Sequence, residues 1–184
     1  MMLGKHLFTK RLCLRKIEEK DLRLISAWSC SPAAYGKYLT PENLSLQDCF
    51  DSWEKNSYWN EQSKTLLIAE RETQKPLGTI RYWQKQNDHQ TAMVALKIAE
   101  PDCRGKGYGT EAQLGLIHYL FTQQPYLAVE MFTDIDNIPE QRCLTKLRFT
   151  LVDLQSYEDH KVQRQGRRYR LTRTEYRRYF SEYL

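Results

Sequence analysis

Residues Met93 to Phe121 read MVALKIAEPDCRGKGYGTEAQLGLIHYLF. The first six, Met93-Val94-Ala95-Leu96-Lys97-Ile98, alternate as a β-strand does, and Pro101 ends the run. Three glycines at alternate positions, Gly105, Gly107 and Gly109, lead into an apolar-periodic segment that reads as a helix starting near Tyr108. Without a Cβ, the glycines let successive backbone N–H groups converge on one point. The helix start adds unpaired N–H groups and the positive end of its dipole, worth ~0.3–1 kcal/mol for a surface anion and ~2 kcal/mol for a partly buried one. Arg104 and Lys106 add full charges, so the loop is expected to hold a phosphate or pyrophosphate.

The spacing narrows the ligand. A Walker loop needs Gly-Lys-Ser/Thr, but Gly105-Lys106 is followed by Gly107. A dinucleotide fingerprint needs G-x-G-x-x-G, but the glycines here are spaced G-x-G-x-G, with no acidic residue ending a second strand about twenty residues on. What fits is R-x-x-G-x-G, with Arg104, Gly107 and Gly109 directly after a strand ended by Pro101, followed by Thr110-Glu111-Ala112. This resembles the acyl-CoA pyrophosphate loop of the GCN5-related N-acetyltransferases (GNAT). Further segments are similar to the branch that contains the ribosomal-protein N-terminal acetyltransferases of the RimJ and RimL type. They are Thr9-Lys10-Arg11-Leu12-Cys13-Leu14-Arg15, Pro76-Leu77-Gly78-Thr79-Ile80, Thr133-Asp134 with Asn137, Lys146-Leu147-x-Phe149, and Tyr169-x-Leu171-Thr172. The likeness covers about residues 9 to 176.

Pattern alone gives an element order. Arg11–Arg15 alternates as a first strand. Glu18, Glu19 and Asp21 then put negative charge in a helix's first turn, and Leu22, Ile25 and Trp28 share one face until Ser31-Pro32 stops it. Pro32 to Pro41 reads as a turn-rich loop, the kind of segment that carries substrate contacts. Ser45 to Asp48 has the form of a capping box, so 45 to 57 is expected as a second helix. Thr65–Glu70, Leu77–Trp83 and Thr91–Ala99 form a three-stranded meander, followed by the glycine loop and its helix. A fifth strand is expected at Leu127–Phe132, a short helix from Pro139 to about Lys146, and further strands at Phe149–Leu154 and Arg168–Leu171. Thr172 and Glu175 cap a last helix with Tyr176, Tyr179, Phe180 and Tyr183 on one face. The expectation is one α/β (α+β) domain over residues 1–184. The GNAT resemblance implies a central mixed, mostly antiparallel sheet, here of seven strands, flanked by helices.

Composition narrows the class. The 184 residues are 41% hydrophobic and 12% aromatic, a globular composition, with no apolar run approaching the roughly 18 residues of a membrane span. The N-terminus MMLGKHLFTKR lacks an apolar signal core, so a cytoplasmic protein is expected. Five scattered cysteines without C-x-x-C argue against a disulfide framework and against zinc, and no metal is expected. The four histidines are equally scattered, and His118 reads as a packed or half-exposed residue rather than a ligand. The net charge of +5 is a C-terminal feature, because residues 161 to 184 hold eight Lys/Arg against two Glu. That segment reads as the solvated side of an arginine-rich hairpin rather than a nucleic-acid contact, whose binding would weaken steeply with salt.

The resemblance implies transfer of an acetyl group from acetyl-CoA, as co-substrate, to a primary amine. It also implies that pantetheine lies in a gap between two parting strands. Carried over, backbone groups of Leu96, Ile98 and Glu100 would bond pantetheine or polarise the thioester carbonyl. The amides of Arg104, Gly105, Lys106, Gly107, Tyr108, Gly109 and Thr110 would hold the pyrophosphate, and Asn137 would face the CoA arm or thiol. The acceptor implied first is a protein N-terminal α-amine, such as that of a ribosomal protein. Polyamines, aminoglycosides and amino acids are the alternatives, and the family often forms homodimers. Three departures stand out: Leu144 where relatives place a tyrosine acid, Glu140 where many have Ser, and Arg148 where a glycine is usual. Leu144 and the basic C-terminal segment motivate a second reading, a non-catalytic acyl-CoA-binding regulatory module. No catalytic residue is assigned. Glu130, Asp134 and Glu140 stand near strand five as carboxylates, and Cys143 has nothing beside it to make it a nucleophile.

Overall fold

The computed structural model describes residues 2, 3, 6–159 and 161–180. Its strands are β1 (Met2–Leu3), β2 (His6–Phe8), β3 (Leu12–Lys16), β4 (Ser63–Glu70), β5 (Pro76–Lys85), β6 (Asp88–Ile98), β7 (Ala128–Asp134), β8 (Thr150–Asp159) and β9 (Val162–Thr172). Its helices are α1 (Leu22–Ser29), α2 (Pro32–Tyr35), α3 (Leu46–Glu54), α4 (Tyr108–Gln123), α5 (Ile138–Lys146) and α6 (Arg173–Tyr179).

The helix starts follow their capping residues. Ser45 and Asp48 cap α3 reciprocally, as Thr172 and Glu175 cap α6. Glu18 and Asp21 make the same exchange at a 3₁₀ turn, Glu19–Asp21, that leads into α1. Helix α5 begins on Asn137, whose side chain accepts the Glu140 amide. It ends with Arg148 at φ 65°, a left-handed conformation that favours glycine. The Phe149 amide reaches Leu144 O and the Arg148 amide reaches Thr145 O, both at 3.0 Å, which is a Schellman closure. Arg148 therefore accepts the backbone strain that a glycine would avoid.

One sheet carries the strands in the order β1-β2-β3-β4-β5-β6-β7-β9-β8, antiparallel except where β6 runs parallel to β7. Among the described residues it has nine strands rather than the seven expected, because β1 and β2 pair outward from β3. These N-terminal strands are too short to show an alternation. Strands β8 and β9 pair from Thr150↔Arg170 out to Asp159↔Val162, well past the bounds of Leu154 and Arg168 that apolar alternation suggested. Residues 155 to 167 are mainly polar, so the ribbon carries no core-facing pattern. Pro32–Tyr35, expected as loop, forms a single helical turn with Ser31 as its cap. Tyr183 and His160 lie outside the described residues.

Each face of the sheet has its own core. On one face α4, α5 and α6 pack on Leu14, Ile68, Ile80, Val94 and Met131. Leu116, Ile117, Leu120 and Phe121 of α4 are buried there, each worth about 1.5–3 kcal/mol relative to exposure. On the other face α1, α2 and α3 bury Leu22, Ile25, Trp28, Ala34 and Cys49 against Leu67 and Ala99. All five cysteines are free. Among the described residues no helix is long and apolar enough to cross a membrane, and no cluster of three or more His, Cys, Asp or Glu is placed to hold a metal.

Candidate active site

The parallel ladder between β6 and β7 runs from Thr91↔Ala128 to Val94↔Met131 and stops there. Beyond it each strand keeps its outer neighbour. Ala95–Ile98 continue on β5, and Phe132–Asp134 continue on β9. The two strands therefore part in the middle of the sheet. The Ala99 amide donates to Leu77 O at 2.8 Å, so by strand alternation the backbone groups of Leu96 and Ile98 point the other way, into the gap.

The glycine loop closes one end of this gap. A 3₁₀ turn, Pro101–Cys103, follows β6, and the chain then takes left-handed conformations at Gly105 (φ 71°) and Gly107 (φ 81°) before entering α4. The first intrahelical bond of α4 runs from the Glu111 amide to Gly107 O. The amides of Gly105, Lys106, Gly107, Tyr108, Gly109 and Thr110 find no acceptor among the described residues, an arrangement able to cradle an anion. At Gly109 a Cβ would stand 3.4 Å from Leu96 Cδ1, an ordinary van der Waals contact, so the helix start lies directly against the strand edge without packing requiring a glycine there.

Two residues expected to contribute to this site are already bonded elsewhere. The Glu100 amide bonds Leu77 O at 3.1 Å, its carbonyl accepts the Cys103 amide at 3.0 Å, and its carboxylate accepts the Trp28 indole N–H at 2.9 Å. The Arg104 amide is bonded to Pro101 O at 3.1 Å. Its guanidinium donates to the carbonyls of Ile98, Ala33 and Ala34 at 2.7–2.8 Å. The 3₁₀ turn takes the Glu100 carbonyl and the Arg104 amide and β5 takes the Glu100 amide, while the Arg104 guanidinium staples the loop to α2, so the run of free amides starts at Gly105. Ile98 also offers its amide to the gap but not its carbonyl.

The cradle is braced from the far side of the sheet. Glu111, in the first turn of α4, accepts from the Thr9 hydroxyl, the Arg11 amide and Arg11 Nε, each at 2.6 Å. Arg11 also donates to Lys106 O at 3.1 Å and stacks its guanidinium over the Tyr108 ring. The Tyr108 hydroxyl bonds Glu70 at 2.9 Å.

A cavity of about 470 Å³ opens on the α1–α3 face beside the gap. Trp28, Tyr35, Tyr58 and Trp83 supply its aromatic walls, and Thr79, Arg81, Ala95 and Lys97 line it from β5 and β6. Lys97 Nζ lies 3.6 Å from the centre of the Tyr35 ring. Burial lowers the Lys97 ammonium to about 8, against the opposing field of Glu42, and Arg104 pushes the same way as burial. Burial raises the Tyr35 phenol to about 12, with the nearby Glu42 carboxylate adding to it. Sequence reading passed over Lys97, although it shares a strand face with Met93, Ala95 and Ala99, and a lysine in such company marks an enclosed position.

The carboxylates near strand five take separate roles. Glu130 is buried and held by Lys85 at 2.7 Å, Arg170 at 2.5 Å and Arg168 at 3.5 Å, a structural ion-pair cluster. Asp134 accepts the Asp136 amide and pairs with Arg164. Glu140 accepts from Gln113 Nε2 at 2.7 Å, and burial between α4 and α5 raises its carboxyl above the ordinary range despite that bond. Burial, helped by Glu140, raises the Cys143 thiol to about 11, so at neutral pH it is a thiol and a poor nucleophile. Leu144 is fully buried in the α4 core and brings no proton. His118 Nδ1 pairs with the Tyr176 hydroxyl at 2.8 Å, a packing role. In the C-terminal segment, Arg164, Arg168 and Arg170 are spent on internal carboxylates.

The family model described as an acetyltransferase (GNAT) domain matches residues 11–150. The chain belongs to the GNAT acetyltransferases. It is an acetyl-transferring enzyme, and the reaction is N-acetyl transfer. This GNAT chain is 27% identical to an N-acetyltransferase 9-like protein of Nematostella vectensis over 156 residues, 77% of this chain and 76% of that protein. Its fold is similar to that of RimL, a ribosomal L7/L12 alpha-N-protein acetyltransferase solved with coenzyme A. The TM-score is 0.77 at 13% identity, covering 91% of this chain and 97% of that one. It is similar also to a spermidine N-acetyltransferase from Vibrio cholerae solved with CoA and spermine. There the TM-score is 0.76 at 15% identity, covering 91% of this chain and 99% of that one.

Proposed function

We propose that this GNAT enzyme uses acetyl-CoA as donor and acetylates a protein N-terminal α-amine. The observation that carries the donor reading is the parting of β6 and β7 after Val94 and Met131, beside a run of six unbonded amides. The cradle from Gly105 to Thr110, with the Lys106 charge, suits a pyrophosphate in number and geometry of donors. The Leu96 amide and carbonyl and the Ile98 amide present an unpaired strand edge, which a pantetheine arm with its two amides can extend. Asn137, at the α5 N-terminus beyond β7, would face that arm, with its Oδ1 already accepting from Glu140.

When bound, acetyl-CoA supplies an activated acyl group, so the chain needs to position the amine, take up its proton and polarise one carbonyl. The strand edge at Leu96 meets the last need with a backbone N–H, and the cavity beside it meets the first. An α-amine titrates near ~8 and a polyamine amine near ~10.4, so the α-amine is more readily neutral at physiological pH. A polycation would need a cavity dominated by carboxylates, but this one has two, Glu42 and Asp159, the latter already bonded to Arg164, set against Arg81 and Lys97. The structurally similar RimL is an alpha-N-protein acetyltransferase, in keeping with the reading.

The test is turnover of a panel of N-terminal peptides, aminoglycosides, amino acids and spermidine with acetyl-CoA. Acetylated peptide is the expected product. Turnover of spermidine alone would overturn the assignment.

A further inference from the structure

The cavity places two cations diagonally on one face of a strand pair. Thr79 faces Lys97 and Arg81 faces Ala95 across β5 and β6, so Arg81 and Lys97 are diagonal neighbours, about 7–8 Å apart along the sheet. Both line the cavity, and Ala95 between them adds little bulk. Arg81 is exposed at the cavity rim and Lys97 is half-buried beside it, so both heads can reach one ligand there.

Elsewhere on the sheet the protein neutralises such cations. Lys85, Arg168 and Arg170 converge on Glu130, Arg168 takes Asp153 as well, and Arg164 lies against Asp134 and Asp159. Neither Arg81 nor Lys97 has a carboxylate within ion-pair distance among the described residues. Arg81 spends its Nε on the Ser63 hydroxyl at 2.8 Å and lies over the Trp83 ring, with no acceptor for its terminal nitrogens among the described residues. Lys97 lies over Tyr35, with no hydrogen-bond acceptor for its three N–H groups among the described residues. Asp159, which lines the same cavity, already accepts from the Thr40 amide at 2.8 Å and from Arg164 at 3.1 Å. Glu42 lines the cavity as well and acts on Lys97 through its field without an ion pair to it.

We propose that Arg81 and Lys97 form an anion subsite within the acceptor cavity, so that the preferred acceptor is an amine carrying a carboxylate close to it. This rests on the assignment of the cavity as the acceptor site. Lys97 immediately follows Leu96, whose backbone faces the gap, so an amine at the gap has its neighbouring substituent over these two cations. Two sources share this chemistry: an acidic side chain early in a peptide N-terminus, and the α-carboxylate of a free amino acid.

The experiment uses the full chain with saturating acetyl-CoA and peptides that differ only in carrying Glu, Gln or Lys at the second position. Free glutamate and spermidine are included. The Glu peptide is expected to exceed the Gln peptide about tenfold in kcat/KM, with the Lys peptide poorest and the preference shrinking as salt rises. In K97M and, separately, R81M the Glu-to-Gln ratio falls toward one, whereas K97R keeps it. R81M serves if K97M fails to fold, and a CoA-induced rise in unfolding temperature certifies each variant. Equal rates for Glu and Gln peptides in the unaltered protein would overturn the subsite and leave the α-amine reading standing. Turnover of free glutamate without any peptide would overturn the N-terminus reading and support the subsite. Turnover of spermidine alone would overturn both.

Discussion

Arg11 and Glu111, a hundred positions apart in the chain, meet with Nε 2.6 Å from Oε2, and the Arg11 amide and the Thr9 hydroxyl bond the other carboxylate oxygen. A turn at one edge of the sheet thereby fixes the first turn of the helix whose amides form the cradle. Burial alone would raise the Glu111 carboxyl, but these three donors outweigh it and hold it below the usual range. Replacing Glu111 by Ala leaves the donors without their acceptor. Charge-assisted hydrogen bonds contribute ~1.5–3 kcal/mol each and are not additive, so a loss of about 2–3 kcal/mol is expected for E111A. At roughly 2–4 °C per kcal/mol the unfolding temperature falls by about 4–12 °C. Affinity for CoA, measured by calorimetry, falls with it. An unchanged CoA affinity would show that the brace serves stability alone.

The loop glycines separate by mechanism. Gly105 and Gly107 adopt positive φ, so an alanine at either costs ~1–2 kcal/mol of backbone strain. At Gly105 a Cβ meets no protein atom within 4 Å, so G105A keeps its cradle amide and is expected to weaken CoA binding through backbone strain alone, less than G107A does. Gly107 precedes Tyr108 and sets the direction of the following amides, so G107A is expected to weaken CoA binding tenfold or more. Equal CoA affinities for the two variants would contradict this.

At the end of α5, Arg148 holds φ 65°. Glycine there should be more stable than alanine by about 1 kcal/mol, since both remove the Arg148 contact over Tyr179 and only alanine retains the left-handed strain. Thermal unfolding of R148G and R148A tests this, with R148G expected to melt roughly 2–4 °C higher.

The buried pair Arg15–Asp21, at 2.6 and 2.8 Å, sets an acid limit on stability. Burial on its own would raise the Asp21 carboxyl, but Arg15 and the Glu18 amide outweigh it and leave it depressed. A depressed carboxyl stabilises the fold above its unfolded value near ~3.9, and that contribution is lost as pH falls through the folded value. D21N strands Arg15 and should cost about 3–5 kcal/mol at neutral pH. Its stability should also fall less steeply than that of the unaltered protein below about pH 4. Parallel pH dependences in urea unfolding would refute the assignment.

The glycine loop and the start of α4 were legible in the sequence because their determinants are local: glycine spacing, a strand-ending proline and an apolar period that starts at Tyr108. The capping boxes at Ser45 and Thr172 were legible for the same reason. The β8–β9 ribbon was not, because its outer half buries no continuous face and alternation vanishes where both sides meet polar surroundings. The bonding of Glu100 and Arg104 depends on a 3₁₀ turn and on carbonyls of α2, which no motif spacing encodes. The cavity draws Arg81, Lys97, Tyr35 and Asp159 from four separate segments, and only the fold brings them together.

The most direct measurement is the position of the acetyl group after incubation of the enzyme with acetyl-CoA and a peptide that offers both an α-amine and a lysine side chain, with spermidine present as competitor. Mass spectrometric sequencing is expected to place the acetyl group on the α-nitrogen, with the lysine and the polyamine unmodified. Acetyl-spermidine as the sole product, or CoA binding with no acetylated product, would contradict the account.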